Sequence, residues 1–269
     1  MKYCKLNNGI MMPLLGLGTW NLNGQECIQT VCNAIQSGYQ LIDTAQMYGN
    51  EKEVGEGIKK SGALRDKLFI TTKIYRKSNS YEKAKQAIND SLMNLNTDYI
   101  DLMLLHEPYV QGPQMYKALE EAYHDGKVRA IGISNYDSKW FQEFLTQCNI
   151  PPAVNQVETH LYFQKWNVQE ALEAHNVKMQ AWAPLAQGKE DMMNHPVLTK
   201  LSKKYNKTVP QIILRFLTQR GISVIPKTKR SSRLMENITI FDFQLTDTEI
   251  NSLKKLDRNQ TLFPWTENF

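Results

Sequence analysis

Asp43, Tyr48, Lys73 and His106 have the residue types for acid–base chemistry at a carbonyl, and each lies at or just beyond the end of a short apolar run. A tyrosine, with a reference pKa of about 10, holds its proton at neutral pH and can donate it to a carbonyl oxygen that is becoming an alkoxide. A lysine ammonium beside the phenol favours phenolate and lowers the tyrosine pKa, while Asp43 would keep that ammonium charged and in place. A neutral His106 can hydrogen-bond the same carbonyl and orient it. Each residue also has an ordinary alternative: Lys73 simply paired with Asp43, Tyr48 plugging a core, His106 a satisfied core histidine, and the stretch from Asp43 to Glu51 a plain turn. It is the four together, at neighbouring mouth positions, that favour chemistry.

Such convergence requires consecutive parallel strands. Strand candidates fall at residues 14–18, 41–43, 68–73, 100–106, 128–134, 153–156, 178–182 and 223–226. Amphipathic helical stretches lie between them. Ala84, Ala87, Ile88, Ser91, Leu92 and Leu95 recur at helical spacing, as do Met115, Leu119, Ala122 and Tyr123 before a helix stop at Asp125-Gly126. Gly16-Leu17-Gly18 lacks the third glycine of a dinucleotide fingerprint, so eight strand–helix units favour a (β/α)8 TIM barrel over a doubly wound sheet. One domain over residues 1–269 is expected, with an Asn8-Gly9 hairpin capping it and an extra C-terminal helix at 247–256. A polar insertion at 186–196 is expected to be a mobile loop over the barrel mouth.

The hydrophobic content of 42% belongs to a globular chain, and a net charge of +5 without a long basic block argues for a small anionic ligand rather than nucleic acid. Cys4, Cys27, Cys32 and Cys148 form no CxxC pair, so free thiols in a reducing compartment are expected. No signal peptide and no membrane-spanning run are read, which points to a soluble cytoplasmic protein.

Late in the chain, Lys227, Thr228, Lys229, Arg230, Ser231, Ser232 and Arg233 gather four cations and several hydroxyls at a helix start, a reasonable phosphate site or simply a solvated helix end. Glu158 and His160, two apart on an extended segment, have metal-ligand chemistry, but nothing nearby completes a ligand set and no metal is expected.

The chain resembles the aldo-keto reductase family. The resemblance rests on Gly16 to Trp20, Asp43-Thr44-Ala45 through Tyr48 to Glu51, Thr72-Lys73, Leu104 to His106, Gly132 to Asn135, Asn155-Gln156, Trp182 to Leu185, Ile225 to Thr228, Arg233 and Glu236-Asn237. It implies a barrel that binds NADPH extended across the strand ends and passes hydride to an aldehyde or ketone. Tyr48 would then be the proton donor, His106 the carbonyl-orienting residue, and Lys73 with Asp43 the pair that tunes Tyr48. Ser134, Asn135 and Gln156 would bind the nicotinamide carboxamide, and Trp182 would stack on its ring where the family usually has Tyr. Pro184, Leu185 and Ile225 fall in the cofactor-binding motifs. Lys227, Thr228 and Arg233 would hold the adenosine 2′-phosphate, and Glu236 and Asn237 the adenine.

Trp20, Tyr48, His106, Glu107 and Trp265 would line the substrate site. Glu107 stands where the family commonly has Trp, which makes the pocket more polar, while Ala183 and Ala186 replace small polar or glycine residues near the pyrophosphate. The short tail is similar to that of the compact, mostly microbial branch with diketogluconate reductases, glyoxal or methylglyoxal reductases and prostaglandin F synthase-like enzymes. A monomer acting on small or sugar-derived carbonyls is expected. The alternatives are a cofactor-binding regulatory barrel subunit, for which no N-terminal extension is seen, and a Schiff-base aldolase on Lys73, which Asp43 opposes by keeping the amine protonated.

Overall fold

The computed structural model describes residues 1–188 and 191–267. Strands β1 (Tyr3–Lys5) and β2 (Met11–Pro13) pair antiparallel around the Asn8-Gly9 turn, where Gly9 takes a φ of 90° that suits glycine. Leu6 and Met12 are buried with Leu41, Phe69, Leu102 and Val154, residues near the starts of the barrel strands. The hairpin therefore closes the end of the barrel opposite the strand C-termini.

Eight parallel strands follow: β3 (Gly16–Gly18), β4 (Leu41–Asp43), β5 (Phe69–Ile74), β6 (Leu102–Leu105), β7 (Ile131–Ser134), β8 (Val154–Glu158), β9 (Lys178–Trp182) and β10 (Ser223–Val224). They pair in chain order, and a parallel bridge between Leu15 and Val224, with Val224 N donating to Leu14 O at 3.0 Å, joins the last to the first. The expected (β/α)8 barrel is the observed fold. At the β3–β10 seam a Cβ on Gly18 would lie 2.7 Å from Ile225 O, and one on Gly16 would collide with Leu41. These glycines thus serve close strand packing.

The helices are α1 (Gly24–Gln36), α2 (Glu51–Ser61), α3 (Tyr81–Leu95), α4 (Gly112–His124), α5 (Ser138–Leu145), α6 (Trp166–Glu173), α7 (Pro196–Tyr205), α8 (Val209–Gln219), α9 (Ser231–Ile238) and α10 (Asp247–Lys254). Helix α3 buries Ala84, Ala87, Ile88, Ser91 and Leu95 as one stripe; Ser80 caps its start and Asn96, at φ 51°, turns the chain out of its end. Helix α8 opens with a reciprocal capping box between Thr208 and Gln211.

Several strands are shorter than the apolar runs suggest. Ile100 and Val128 meet only in an isolated bridge below β6 and β7, and Pro226 has no N–H with which to prolong β10. The β9–β10 connection holds two helices, α7 and α8. Within the insertion at 186–196, Ala186, Gln187 and Gly188 form a tight turn with positive φ throughout, and Ala186 and Met192 are fully buried, while Lys189 and Glu190 lie outside the described residues.

Candidate active site

Asp43 ends β4, and the loop after it contains a single helical turn, Gln46–Tyr48, closed by Gly49 at φ 67°. Half-buried Gln46 and buried Asn50 hold this loop at both ends. Gln46 Nε2 donates to Ala87 O at 2.8 Å and Ser91 Oγ at 2.9 Å, fastening it to α3. Asn50 Oδ1 accepts from Thr44 Oγ1 at 2.7 Å, and its Nδ2 donates to Thr19 O and Leu22 O, each at 2.9 Å. Since Thr19 precedes Trp20, one asparagine joins the Tyr48 loop to the Trp20 loop.

Lys73, the penultimate residue of β5, is fully buried and aims its ammonium at the same point. Nζ is 2.6 Å from Asp43 Oδ1, 2.9 Å from Thr44 O and 3.3 Å from Tyr48 OH. Gln156 Nε2 reaches across from β8 to the other Asp43 oxygen at 2.7 Å. Burial opposes the Lys73 charge, but the Asp43 carboxylate, then the phenol, outweigh it and lift the ammonium above the ordinary lysine range. Burial raises Asp43, against the pull of Lys73 and Gln156. Burial also raises the Tyr48 phenol, and the lowering by Lys73 is smaller, so the net shift is opposite to the expected one. The phenol is consequently a held proton.

His106 follows β6 by one residue and its ring lies edge-on to Tyr48, with centroids 5.7 Å apart. Burial, then the Lys73 charge, hold its pKa well below 6.5, so the ring is neutral, and Nδ1 is buried without a hydrogen-bond partner among the described residues. Trp20 packs edge-on against Tyr48 at 4.9 Å, and Tyr75 against His106 at 6.3 Å. Half-buried Glu107 is raised by burial, against the Tyr109 hydroxyl and then Arg76. The arrangement can present a proton on a phenol and an uncharged ring nitrogen to one polar atom.

A second group lies at the ends of β7, β8 and β9. Asn135, at φ 67°, donates from Nδ2 to His106 O at 3.0 Å and accepts from Trp182 Nε1 at 2.8 Å. Ser134 Oγ donates to Gln156 O at 2.7 Å, and Gln156 Nε2 also donates to Gln180 Oε1 at 2.6 Å. Trp265 stacks on Trp182 with centroids 5.7 Å apart and planes 16° apart, so the tail reaches the mouth. Pro184 is buried and Leu185 half-buried beyond β9, in a turn where Ala183 and Ala186 take φ of 49° and 51°. Asn268 and Phe269 lie outside the described residues.

The third group follows β10. Buried Ile225 lines the β3–β10 seam, Thr228 is buried, and Lys227, Arg230 and Arg233 are exposed around the start of α9 without a hydrogen bond or ion pair from their side chains among the described residues. Lys229, by contrast, faces Glu26 at 3.1 Å. Asn237 is buried, and Glu236 is turned to accept from Thr208 Oγ1. Sequence reasoning missed the roles of Asn50 and Gln46, the ring of Tyr75 and the bridge through Gln180. Only Tyr75 had a signal, as it lies two residues beyond Lys73, just past the end of β5.

The profile described as the Aldo/keto reductase family matches residues 14–258. The chain belongs to that family. It is 41% identical over 265 residues to the glyoxal reductase of Bacillus subtilis, spanning 97% of this chain and 94% of that one. The crystal structure of MGS-M4, an aldo-keto reductase from a Medee basin deep-sea metagenome library, superposes with a TM-score of 0.94 at 39% identity and covers 97% of each chain. An aldo-keto reductase, AKR2E5, crystallised with NADPH superposes with a TM-score of 0.91 at 32% identity, covering 96% of this chain and 88% of that one. No helix among the described residues is long and apolar enough to cross a membrane.

Proposed function

We propose that this oxidoreductase reduces a small aldehyde or ketone with NADPH, Tyr48 giving the proton to the carbonyl oxygen. The observation that carries this reading is the buried Lys73 ammonium, shared between Asp43 at 2.6 Å and the Tyr48 hydroxyl at 3.3 Å. That charge steadies the phenolate left when the proton leaves, and Asp43 keeps the charge in place. Neutral His106 points the carbonyl oxygen toward Tyr48. Trp20, Glu107 and Trp265 wall the space in front of them.

NADPH, when bound, supplies the hydride. Gln156 has committed Nε2 to Asp43 and Gln180, which leaves Oε1 to accept from a carboxamide beside Ser134 and Asn135. Trp182 offers a flat face to the ring, with Pro184, Leu185 and Ile225 alongside. Lys227, Arg230 and Arg233, exposed and without acidic partners among the described residues, suit a 2′-phosphate together with the Thr228 hydroxyl. Glu236 and Asn237 would hold the adenine.

The relative from Bacillus subtilis named as a glyoxal reductase supports short α-oxoaldehydes as substrates, and half-buried Glu107 supports a polar wall. All four thiols are free, in keeping with a cytoplasmic protein. Fluorescence titration with NADPH and NADH, then NADPH oxidation over a panel of aldehydes, methylglyoxal and keto-sugars, tests the reading. We expect tighter NADPH binding and turnover that Tyr48→Phe abolishes without loss of binding. Binding without turnover on any carbonyl would leave a regulatory barrel, and no binding would remove the phosphate site.

A further inference from the structure

Glu158 and His160 are almost wholly buried at the C-terminal end of β8, and the proton-donating chemistry of Tyr48 uses neither. Apart from His160 Nδ1, which is buried without a hydrogen-bond partner among the described residues, their side-chain polar atoms are spent on each other and on the tail. Glu158 Oε1 is 3.0 Å from His160 Nε2 and accepts from Leu262 N at 3.0 Å, while Oε2 accepts from Thr261 Oγ1. A carboxylate placed among three such groups accepts from all of them, so the imidazole proton belongs on Nε2.

These bonds fasten a turn that closes on itself. Phe263 N donates to Thr261 Oγ1 at 2.9 Å, and Thr266 donates to Phe263 O through both N and Oγ1, each at 2.9 Å. The turn projects Phe263 edge-on to Trp182 at 5.0 Å and Trp265 flat on it at 5.7 Å. Glu158 is also the strand partner of Trp182 in the β8–β9 ladder. The same residue that pairs with Trp182 through the backbone thus holds, through its side chain, the segment that covers Trp182.

We propose that Glu158, steadied by His160, is a positioning residue that latches the C-terminal turn so that Trp265 lies on Trp182 and slows departure of the cofactor from the mouth. The effect on the cofactor rests on the NADPH reading above; the latch itself does not. The carboxylate acts at a distance from the transferred proton, by fixing where an aromatic wall stands. A polar group buried under the tail is the natural fastening for such a segment, because pulling the tail away leaves the carboxylate without two of its donors.

Two readouts test this on the full chain with Glu158→Ala, Thr261→Val, Trp265→Ala and the Glu158→Ala/Trp265→Ala double variant. The first is the exciton couplet of the stacked indoles in circular dichroism, taken without any ligand and assigned by its loss in Trp265→Ala. We expect Glu158→Ala and Thr261→Val to weaken it by about half or more with the backbone spectrum unchanged. The second is stopped-flow NADPH release, expected to quicken about fivefold in Glu158→Ala and in Trp265→Ala, with the double variant no faster than Trp265→Ala.

A couplet as strong as wild type in the Glu158 and Thr261 variants, or release rates that multiply in the double variant, would overturn the proposal. If Glu158→Ala does not fold, the couplet and release rate of Thr261→Val decide. A wild-type protein that binds no NADPH would sink the reductase reading, while the couplet still decides the latch.

Discussion

The ammonium of Lys73 lies 2.6 Å from Asp43 Oδ1, with the two side chains 0% and 2% exposed. A buried charge of either sign without the other is costly. Lys73→Met therefore loses about 3–5 kcal/mol of stability, read by urea denaturation. Turnover falls further than stability explains, because the Tyr48 phenolate loses its charge partner. A variant of wild-type stability would mean that Asp43 is protonated in the fold.

Tyr48→Phe keeps the ring contacts with Trp20 and His106 and removes only the hydroxyl. A fall in kcat of about 10²–10⁴ is expected, with NADPH affinity unchanged by titration. Retained turnover would assign the proton to another group.

His106 makes stability depend on pH with a definite sign. Its pKa in the fold is well below 6.5, so below that pH the unfolded chain takes up the proton first. Its contribution is fully present above 6.5 and is lost as pH falls toward the folded pKa, at up to about 1.4 kcal/mol per unit. Asp43 and Glu51, raised by burial, act in the opposite direction: their contribution is present at low pH and lost as pH rises through their folded pKa values. The difference between wild type and His106→Asn isolates the histidine. Denaturation midpoints measured across weakly acidic pH should fall more steeply in the wild type.

Asn50 joins the loops that carry Trp20 and Tyr48 by three hydrogen bonds from a fully buried side chain. Asn50→Ala strands Leu22 O and leaves Thr19 O with Leu22 N alone, at a cost of about 1–3 kcal/mol. With Tyr48 displaced, kcat/KM is expected to drop by about 10²-fold, more than NADPH affinity does. Equal loss in both would place the effect in the cofactor site.

The exposed cations after β10 are expected to separate the two nicotinamide cofactors. Arg230→Ala and Arg233→Ala should each weaken NADPH about tenfold and leave NADH nearly unchanged, a difference that shrinks as salt is added. Parallel titrations with both cofactors read it directly. Equal weakening of NADH would move these residues away from the 2′-phosphate.

Much of this protein was legible along the chain. Apolar runs ending in Asp43, Lys73 and His106, separated by helical stripes such as Ala84 to Leu95, determined a barrel with those residues at one end, since a parallel strand buried on both faces shows its function only where it stops. The cation-rich stretch after residue 226 was equally local, as charge and hydroxyl content need no fold to be read. Tertiary structure alone decided the rest. Gln156 meets Asp43 from 113 residues away, Asn50 gathers Thr19 and Leu22, and Glu158 holds Thr261 and Leu262. Periodicity reports which face of an element is buried, whereas these contacts depend on which strand ends the closed barrel brings together and on where its loops and tail return. The direction of the Tyr48 shift belongs to the same class: the neighbouring lysine was visible in the sequence, but the depth of burial that outweighs it exists only in the fold.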